Sequence, residues 1–340
     1  MGSDITRSDR LSRRHLLMAA GAAAAFRPPS VLAQGQCGGA RAGTPACDRT
    51  PARLPFAPTG WKTVLLDRFT CEVADYPKEV AFYAALMNWK IRSDDGRQAL
   101  MDVGDWGGLV LRGGYQPAAG APRRALFDSF CWGIEPWDAK TVEAELRKRG
   151  LTPVADNDGD FQSFHVKDPD GFDLQISNGN RSNRRQGPAT GRTSARAPFP
   201  STDWQTVWLD HISFTVSDYK KSVAFYAALL GWKPGMDEGS QNQCEIGDVG
   251  DIIIRRGGGA GLTGPGTARR AAIGHISFGI TPFDPDRVKA ELTRRGLTAR
   301  EDTGGRGDIH TASFKSYHTT TPNGFDLQIS ATTKATRNPG

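Results

Sequence analysis

Cysteine and histidine are both scarce, five and six among 340 residues. No Cys-x-x-Cys pair occurs, which excludes a zinc ribbon and a thioredoxin-type centre. Cys37 and Cys47 lie in a segment rich in Gly, Pro and Ala and could pair in an oxidising compartment. Cys71, Cys131 and Cys244 fall in or beside strand-like runs and read as single buried thiols. A Ser-His-Asp layout is lacking. So is a phosphate cradle, because the run Arg256-Gly-Gly-Gly-Ala-Gly does not lead into Lys-Ser or Lys-Thr. The net charge of +6 comes largely from arginines near the N-terminus and in one internal stretch, with no basic stripe interleaved with aromatics. A nucleic-acid surface is therefore not expected. No apolar run is long enough to span a bilayer, so no stable membrane anchor is expected either.

The N-terminal residues do not read as fold. Ser12-Arg13-Arg14-His15-Leu16-Leu17 precedes the Ala-rich run Met18 to Phe26, and Val31-Leu32-Ala33 offers small residues for cleavage. A charged region, a short apolar region and a small-residue site make a signal peptide. The paired arginines and the further Arg27 resemble a twin-arginine export signal. The expectation is a signal over 1–33, cleavage after Ala33, passage through the twin-arginine export machinery and a periplasmic or extracellular location. Residues 34–60 read as a flexible tail.

From Trp61 the chain repeats itself. Tyr76-Pro-Lys-Glu-Val-Ala-Phe-Tyr-Ala-Ala-Leu returns as Tyr219-Lys-Lys-Ser-Val-Ala-Phe-Tyr-Ala-Ala-Leu, and Gly171-Phe-Asp-Leu-Gln-Ile-Ser returns intact from Gly324. The offset is 143 at Tyr83/Tyr226, 146 at Ala144/Ala290 and 153 at Gly171/Gly324, so the second copy carries small insertions. The copies span 61–178 and 205–332. Between them, 179–204 is a basic linker rich in Asn, Arg, Gly, Ser and Pro, and 333–340 is a tail.

Each copy has the same rhythm. An alternating strand, Val64–Val73 or Val207–Val216, leads into a helix. Tyr219, Val223, Tyr226 and Leu230 share one helical face, as do Tyr76, Val80, Tyr83 and Met87. Strand-like runs follow, and the pattern restarts at Leu126–Ile134 and Ala272–Ile280. Asp284-Pro285 starts a second helix, and Gly150 and Gly296 stop the two helices. Each copy is thus β-α-β-β-β twice. The fold class is α+β: two tandem domains, each of paired βαβββ modules forming a curved mixed sheet around a cleft.

The candidate site lies in the second copy. His211, His275 and Gln328 each sit on a strand-like run, where alternation lets one side chain per strand face a common point. Two imidazoles and one oxygen donor suit Fe(II) or Mn(II), with Zn also possible, and leave open positions for a small-molecule substrate. In the first copy Arg68, Ser129 and Gln175 stand at these places. Arg and Ser cannot replace imidazoles, so no metal is expected there. Gln175, retained without histidines, counts against Gln328 as a ligand. Arg255 could meet an anionic substrate, but Arg112 at its counterpart points to a role in the fold. Trp106, Trp132, Trp137 and Trp232 could line a cleft for an aromatic ligand, though such positions more often belong to a core.

The order of elements, the Leu209-Asp-His-Ile opening with its Phe-Tyr-Ala-Ala-Leu-Leu-Gly-Trp sequel, and the Pro-x-Gly-x-x-x-Gln close resemble the vicinal oxygen chelate superfamily. That group includes glyoxalase I, bleomycin resistance proteins and extradiol dioxygenases. The resemblance spans about 62–332 and implies a fold more firmly than a reaction. It places metal ligands at His211, His275 and Gln328, with Gln where extradiol enzymes have Glu. It also implies a closing motif through His310, Tyr317, His318 and Thr321-Pro322-Asn323-Gly324, with His310 as an acid/base. His318 is matched by His165 in the first copy and reads as a feature of the fold. Asp251-Ile-Ile-Ile-Arg-Arg lacks the Glu that glyoxalase I needs, which disfavours that reaction. The expectation is an exported metal-dependent oxygenase or lyase. The alternatives are a metal-free small-molecule-binding protein of the bleomycin-resistance type and a scaffold.

Overall fold

The computed structural model describes residues 50–105, 107–184, 188–257 and 271–337. The export signal, Cys37, Cys47, Trp106 and most of the Gly-rich run after Arg256 lie outside the described residues.

The first domain runs β1 (Lys62–Val73), α1 (Tyr76–Leu86), β2 (Lys90–Asp94), β3 (Gln98–Val103), β4 (Gly107–Gly113), β5 (Ala125–Glu135), α2 (Ala139–Lys148), β6 (Val154–Ala155), β7 (Ser163–Lys167) and β8 (Asp173–Ser177). The second runs β9 (Gln205–Val216), α3 (Tyr219–Leu230), β10 (Lys233–Asp237), β11 (Gln241–Ile246), β12 (Gly250–Arg256), β13 (Ala272–Thr281), α4 (Pro285–Arg294), β14 (Arg300–Asp302), β15 (Ser316–Thr320) and β16 (Asp326–Ser330). Each forms one eight-stranded mixed sheet, ordered β2-β3-β4-β1-β5-β8-β7-β6 and β10-β11-β12-β9-β13-β16-β15-β14. The opening strands of the two modules lie side by side at the centre of each sheet. The sequence therefore folds as an α+β chain of two tandem sheet domains.

Local chemistry sets the helix ends. Asp75, Asp138, Asp218 and Asp284 each accept a hydrogen bond from a first-turn backbone N–H, and Pro285 opens α4. Gly231 ends α3 at φ 69°, a left-handed geometry that a side chain would strain.

In the second sheet the helices cover the face carrying Ile212, Phe214, Ile252, Ile254, Ile276, Phe278, Leu327 and Ile329, all buried. The other face carries the polar residues. The domains meet through an aromatic core in which Trp132 and Trp232 are buried with ring centroids 5.5 Å apart, beside Phe130 and Tyr226. Tryptophan N–H groups reach across this junction: Trp89 donates to Thr206 at 2.8 Å and Trp232 to Thr63 at 3.0 Å. Buried polar groups cross as well, with Tyr226 donating to Asp168 at 2.9 Å and the Asn323 amide to Glu79 at 2.8 Å. Trp132 and Trp232 therefore belong to the core. Trp137 is half-buried, stacks on Phe164 and donates to Gln162. Cys71, Cys131 and Cys244 are buried free thiols. Among the described residues no helix is long and apolar enough to cross a membrane.

Candidate metal centre

Register builds the site. His211 on β9 lies opposite Ser277 on β13, Ser277 lies beside Gln328 on β16, and Gln328 lies opposite His318 on β15. His275 stands two residues before Ser277, abreast of Asp326. Cross-strand neighbours share a face, so these side chains all project away from the helices. A register shift between Ser277 and Phe278 leaves Asp210 as an extra residue in β9. Its carboxylate accepts from Ser277 Oγ at 2.7 Å and lies 3.4 Å from His211 Nδ1.

That contact orients His211: a proton on Nδ1 facing Asp210 leaves Nε2 as the lone-pair nitrogen. His211 Nε2 and His275 Nε2 are 3.0 Å apart, with ring planes inclined at 77°. Two cis ligands of an octahedral ion, each bonded at about 2.1 Å, stand about 3.0 Å from one another. Burial, reinforced by the neighbouring His211 and His318, holds the His275 pKa well below its usual value, so it stays neutral and ligand-ready. Burial works against ionisation of Asp210, but His211, Ser277 and Ser330 together hold its pKa below the ordinary carboxylate range.

Gln328 supplies the fit test. It is fully buried, and its Nε2 donates to Ser316 Oγ at 2.7 Å, with Asp302 Oδ2 at 3.4 Å. Its Oε1 is buried with no hydrogen-bond partner among the described residues. A buried orphan acceptor costs about 1–3 kcal/mol, so this oxygen calls for a cation or a donor. The first domain shows what meets that need. Gln175 holds the same pose, donating to Ser163 Oγ at 2.8 Å and Asp156 Oδ2 at 3.2 Å, while its Oε1 accepts from Arg68 Nη2 at 3.0 Å. Arg68 occupies the position of His211. Its guanidinium also pairs with Asp67 at 2.6 Å and lies 5.1 Å from the Phe161 ring centroid. Arg184 adds a second cation, bonded to Asp67 at 2.7 Å and 4.5 Å from the same ring. A fixed organic cation therefore occupies the first-domain position. The retained glutamine, which counted against Gln328 in the sequence, serves a cation there. The residues of the second domain fit a divalent ion, which His211, His275 and Gln328 would hold.

A second grouping shares His275. One ligand atom each from His275, His318 and Asp326 fall within 4.8 Å of one another. Both nitrogens of His318 are already engaged, Nδ1 with Asp326 at 2.8 Å and Nε2 with Asp302 at 3.1 Å. His165 makes the same two contacts in the first domain, with Asp173 at 3.0 Å and Asp156 at 3.3 Å, beside Ser129 rather than a histidine. The His–carboxylate pairs thus belong to the duplicated fold. His318 steers Gln328 through their shared partner Asp302, whose pKa its hydrogen bond lowers to about 2.

His310 lies elsewhere. It is exposed in the turn before β15, and its Nε2 is 3.8 Å from Asp286 on α4. The negative charge of Asp286 also bears on Tyr317, whose side chain leaves β15 on the face opposite His318. His310 therefore stands on the helix side, and the structure does not bring it to His211 and His275. The residue that does arrive from this loop is Phe314, 6.5 Å from the His211 ring. Sequence reasoning missed Phe314 and Asp210. Both had a signal in the repeat, since Phe161 and Asp67 occupy the same places in the first copy.

Residues 208–329 match a family model described as the Glyoxalase/Bleomycin resistance protein/Dioxygenase superfamily. No curated protein matches the sequence. Among solved structures, the Mn(II)-bound glyoxalase from Novosphingobium aromaticivorans is similar at TM-score 0.57 and 16% identity, covering 79% of this chain and 82% of that one. Homoprotocatechuate 2,3-dioxygenase from Brevibacterium fuscum is similar at TM-score 0.56 and 18% identity, covering 84% and 75%. The 2,3-dioxygenase LapB from Pseudomonas sp. KL28 is similar at TM-score 0.55 and 14% identity, covering 79% and 92%. At these identities the likeness is one of fold.

Proposed function

We propose that this chain, whose second domain belongs to the glyoxalase/bleomycin resistance/dioxygenase superfamily, is a divalent-metal-dependent enzyme of oxygenase or lyase type acting on a small oxygenated molecule. The observation that carries the reading is the buried Oε1 of Gln328, which has no partner among the described residues in a sheet face that also brings two imidazole nitrogens together, whereas its first-domain twin accepts from a guanidinium. Fe(II) and Mn(II) suit two imidazoles and a neutral oxygen better than a softer thiolate-seeking ion, and Zn remains compatible. Such an ion supplies Lewis-acid polarisation of adjacent substrate oxygens or, as Fe(II), activation of dioxygen. The chain does the rest. Asp210 fixes the His211 tautomer, Ser316 and Asp302 aim Gln328, and Phe314 lies beside the His211 ring. His310 is not assigned a part. We also infer, from the paired arginines of the leader, export by the twin-arginine route to the periplasm or beyond. A fusion of residues 1–40 to a reporter that requires the twin-arginine pathway tests that inference, and a reporter left in the cytoplasm would oppose it.

The test of activity is an oxygen-uptake assay on anaerobically reconstituted Fe(II) and Mn(II) protein, run with catechols, alongside an isomerase assay with hemithioacetals. Metal-dependent turnover in either assay, abolished in His211→Ala, is the expected result. Equal rates with and without metal would sink the reading.

A further inference from the structure

Arg255 on β12 stands on the same sheet face as the metal-ligand candidates. It lies abreast of Thr215 on β9, one pair along from Ser213, which faces His275. With strands about 4.8 Å apart, the Arg255 and His275 backbones are roughly 12 Å apart, a span that two long side chains and a one-ring molecule can bridge. The first-domain counterpart, Arg112, is neutralised. It pairs with Glu72 at 3.7 Å and Asp128 at 3.9 Å, and its Nε donates to Gln98 at 3.3 Å. The second domain has changed all three partnerships. Thr215 stands for Glu72 and Gly274 for Asp128. Gln241, the counterpart of Gln98, turns its amide to Glu238 at 2.8 Å. Arg255 therefore has no ion-pair partner among the described residues, and its buried Nε has no hydrogen-bond partner. Its charge is held at some cost: burial pushes its pKa down, offset in part by the more distant carboxylates of Asp302 and Glu238. An unpaired, largely buried guanidinium presents a planar fork matched to carboxylate. The residue comparison alone, Arg against Arg, suggested a common role in the fold. The partners show two different roles.

We propose that Arg255 anchors a carboxylate of the substrate, so the second-domain site takes an organic acid whose other end carries the oxygens that face His211 and His275. The proposal rests on the metal-site reading for that second part only. The test is calorimetric titration of the full chain with homoprotocatechuate and with its uncharged amide, in Mn(II)-loaded and in chelator-treated protein. Mn(II) affinity is measured in parallel. Wild type is expected to bind the acid at least about tenfold more tightly than the amide, and Arg255→Ala to lose that preference without a fall in Mn(II) affinity. A second variant leaves the arginine in place and restores the first domain's counter-charges, Thr215→Glu with Gly274→Asp. A Cβ at Gly274 meets its nearest atoms at 3.6 Å, so the backbone there accepts a side chain without a clash at Cβ. This variant is expected to lose the preference as well. A wild-type protein with no preference, or a preference that survives both variants, overturns the proposal while leaving the metal reading intact. An Arg255-dependent preference in protein that binds no Mn(II) upholds the anchor and overturns the metal reading alone.

Discussion

The two domains hold the same sheet, the same Gln–Ser–Asp support and the same His between two carboxylates, yet they differ in what faces the glutamine oxygen. In the first domain it is Arg68, braced by Asp67 and capped by Phe161. In the second that oxygen has no partner among the described residues, and the neighbouring strands of the same sheet carry a pair of imidazoles, with Asp210 behind one of them and Phe314 beside it. In the first domain the scaffold carries a positive charge at this place, and the proposed metal reading puts one there in the second. A covalently attached cation satisfies the glutamine oxygen permanently in one copy, and an exchangeable ion can satisfy it in the other.

The largest effect is expected from converting one site into the other. His211→Arg with His275→Ser copies the first domain's residues and should abolish divalent-metal binding. The melting temperature of the apo protein should hold or rise, because Gln328 Oε1 gains a donor. Metal titration and a thermal melt on the same sample read both halves. Unchanged metal affinity would break the comparison. The reverse conversion asks more of the fold. Arg68→His, Ser129→His and Arg184→Ala together should create a second, weaker Mn(II) site, read as added stoichiometry.

The glutamines offer a finer contrast. Gln328→Ala should weaken Mn(II) binding by about tenfold or more, in the range expected when a supporting contact to a metal site is lost. Gln175→Ala should leave Mn(II) binding unchanged and cost about 1–2 kcal/mol of stability, because it removes an acceptor from a mostly buried guanidinium. Denaturant melts compare the two. Equal effects on metal binding would mean that the two oxygens do not have separate roles.

These contrasts also show how far the sequence could be read. The alternation of β9 and the Tyr219–Tyr226 helical stripe were plain, and the central strands extend only about two residues past where the apolar pattern ends. The convergence of His211 and His275 was an expectation of the resemblance, which puts both at ligand positions on the opening strands of their modules, and the two nitrogens do meet. Asp210 is matched by Asp67 in the repeat, but strand alternation alone turns it away from His211, and a bulge brings it back. One loop accounts for both Phe314, which was missed, and His310, which was expected at the site. The offset between copies jumps from 146 to 153 across the loop between β14 and β15, and only the end of that loop, where Phe314 matches Phe161, stays in register with the first copy. For Gln328 and Arg255 the residue is identical between copies while its partners differ, a change that residue identity does not reveal.

The smallest effect expected is one of pH. The His275 pKa is held below its usual value of 6.5. Between its folded pKa and 6.5 the unfolded chain binds more protons than the folded one, so apo-protein stability should fall as pH drops below 6.5. His275→Ser, the first-domain residue, should flatten that slope in melts taken across the acid range. A wild-type slope kept by the variant would assign it to another group. His318 gives the opposite sign. Burial opposes its charge, but Asp302 and Asp326 raise its pKa, so its contribution is present below 6.5 and lost as pH rises through the folded value.

The most direct measurement is the number of divalent ions held per chain after anaerobic loading with Mn(II) and desalting, determined by elemental analysis for wild type and His211→Ala side by side. The account predicts one ion in the wild type and essentially none in the variant. Two ions per chain, or equal occupancy in both proteins, would contradict it.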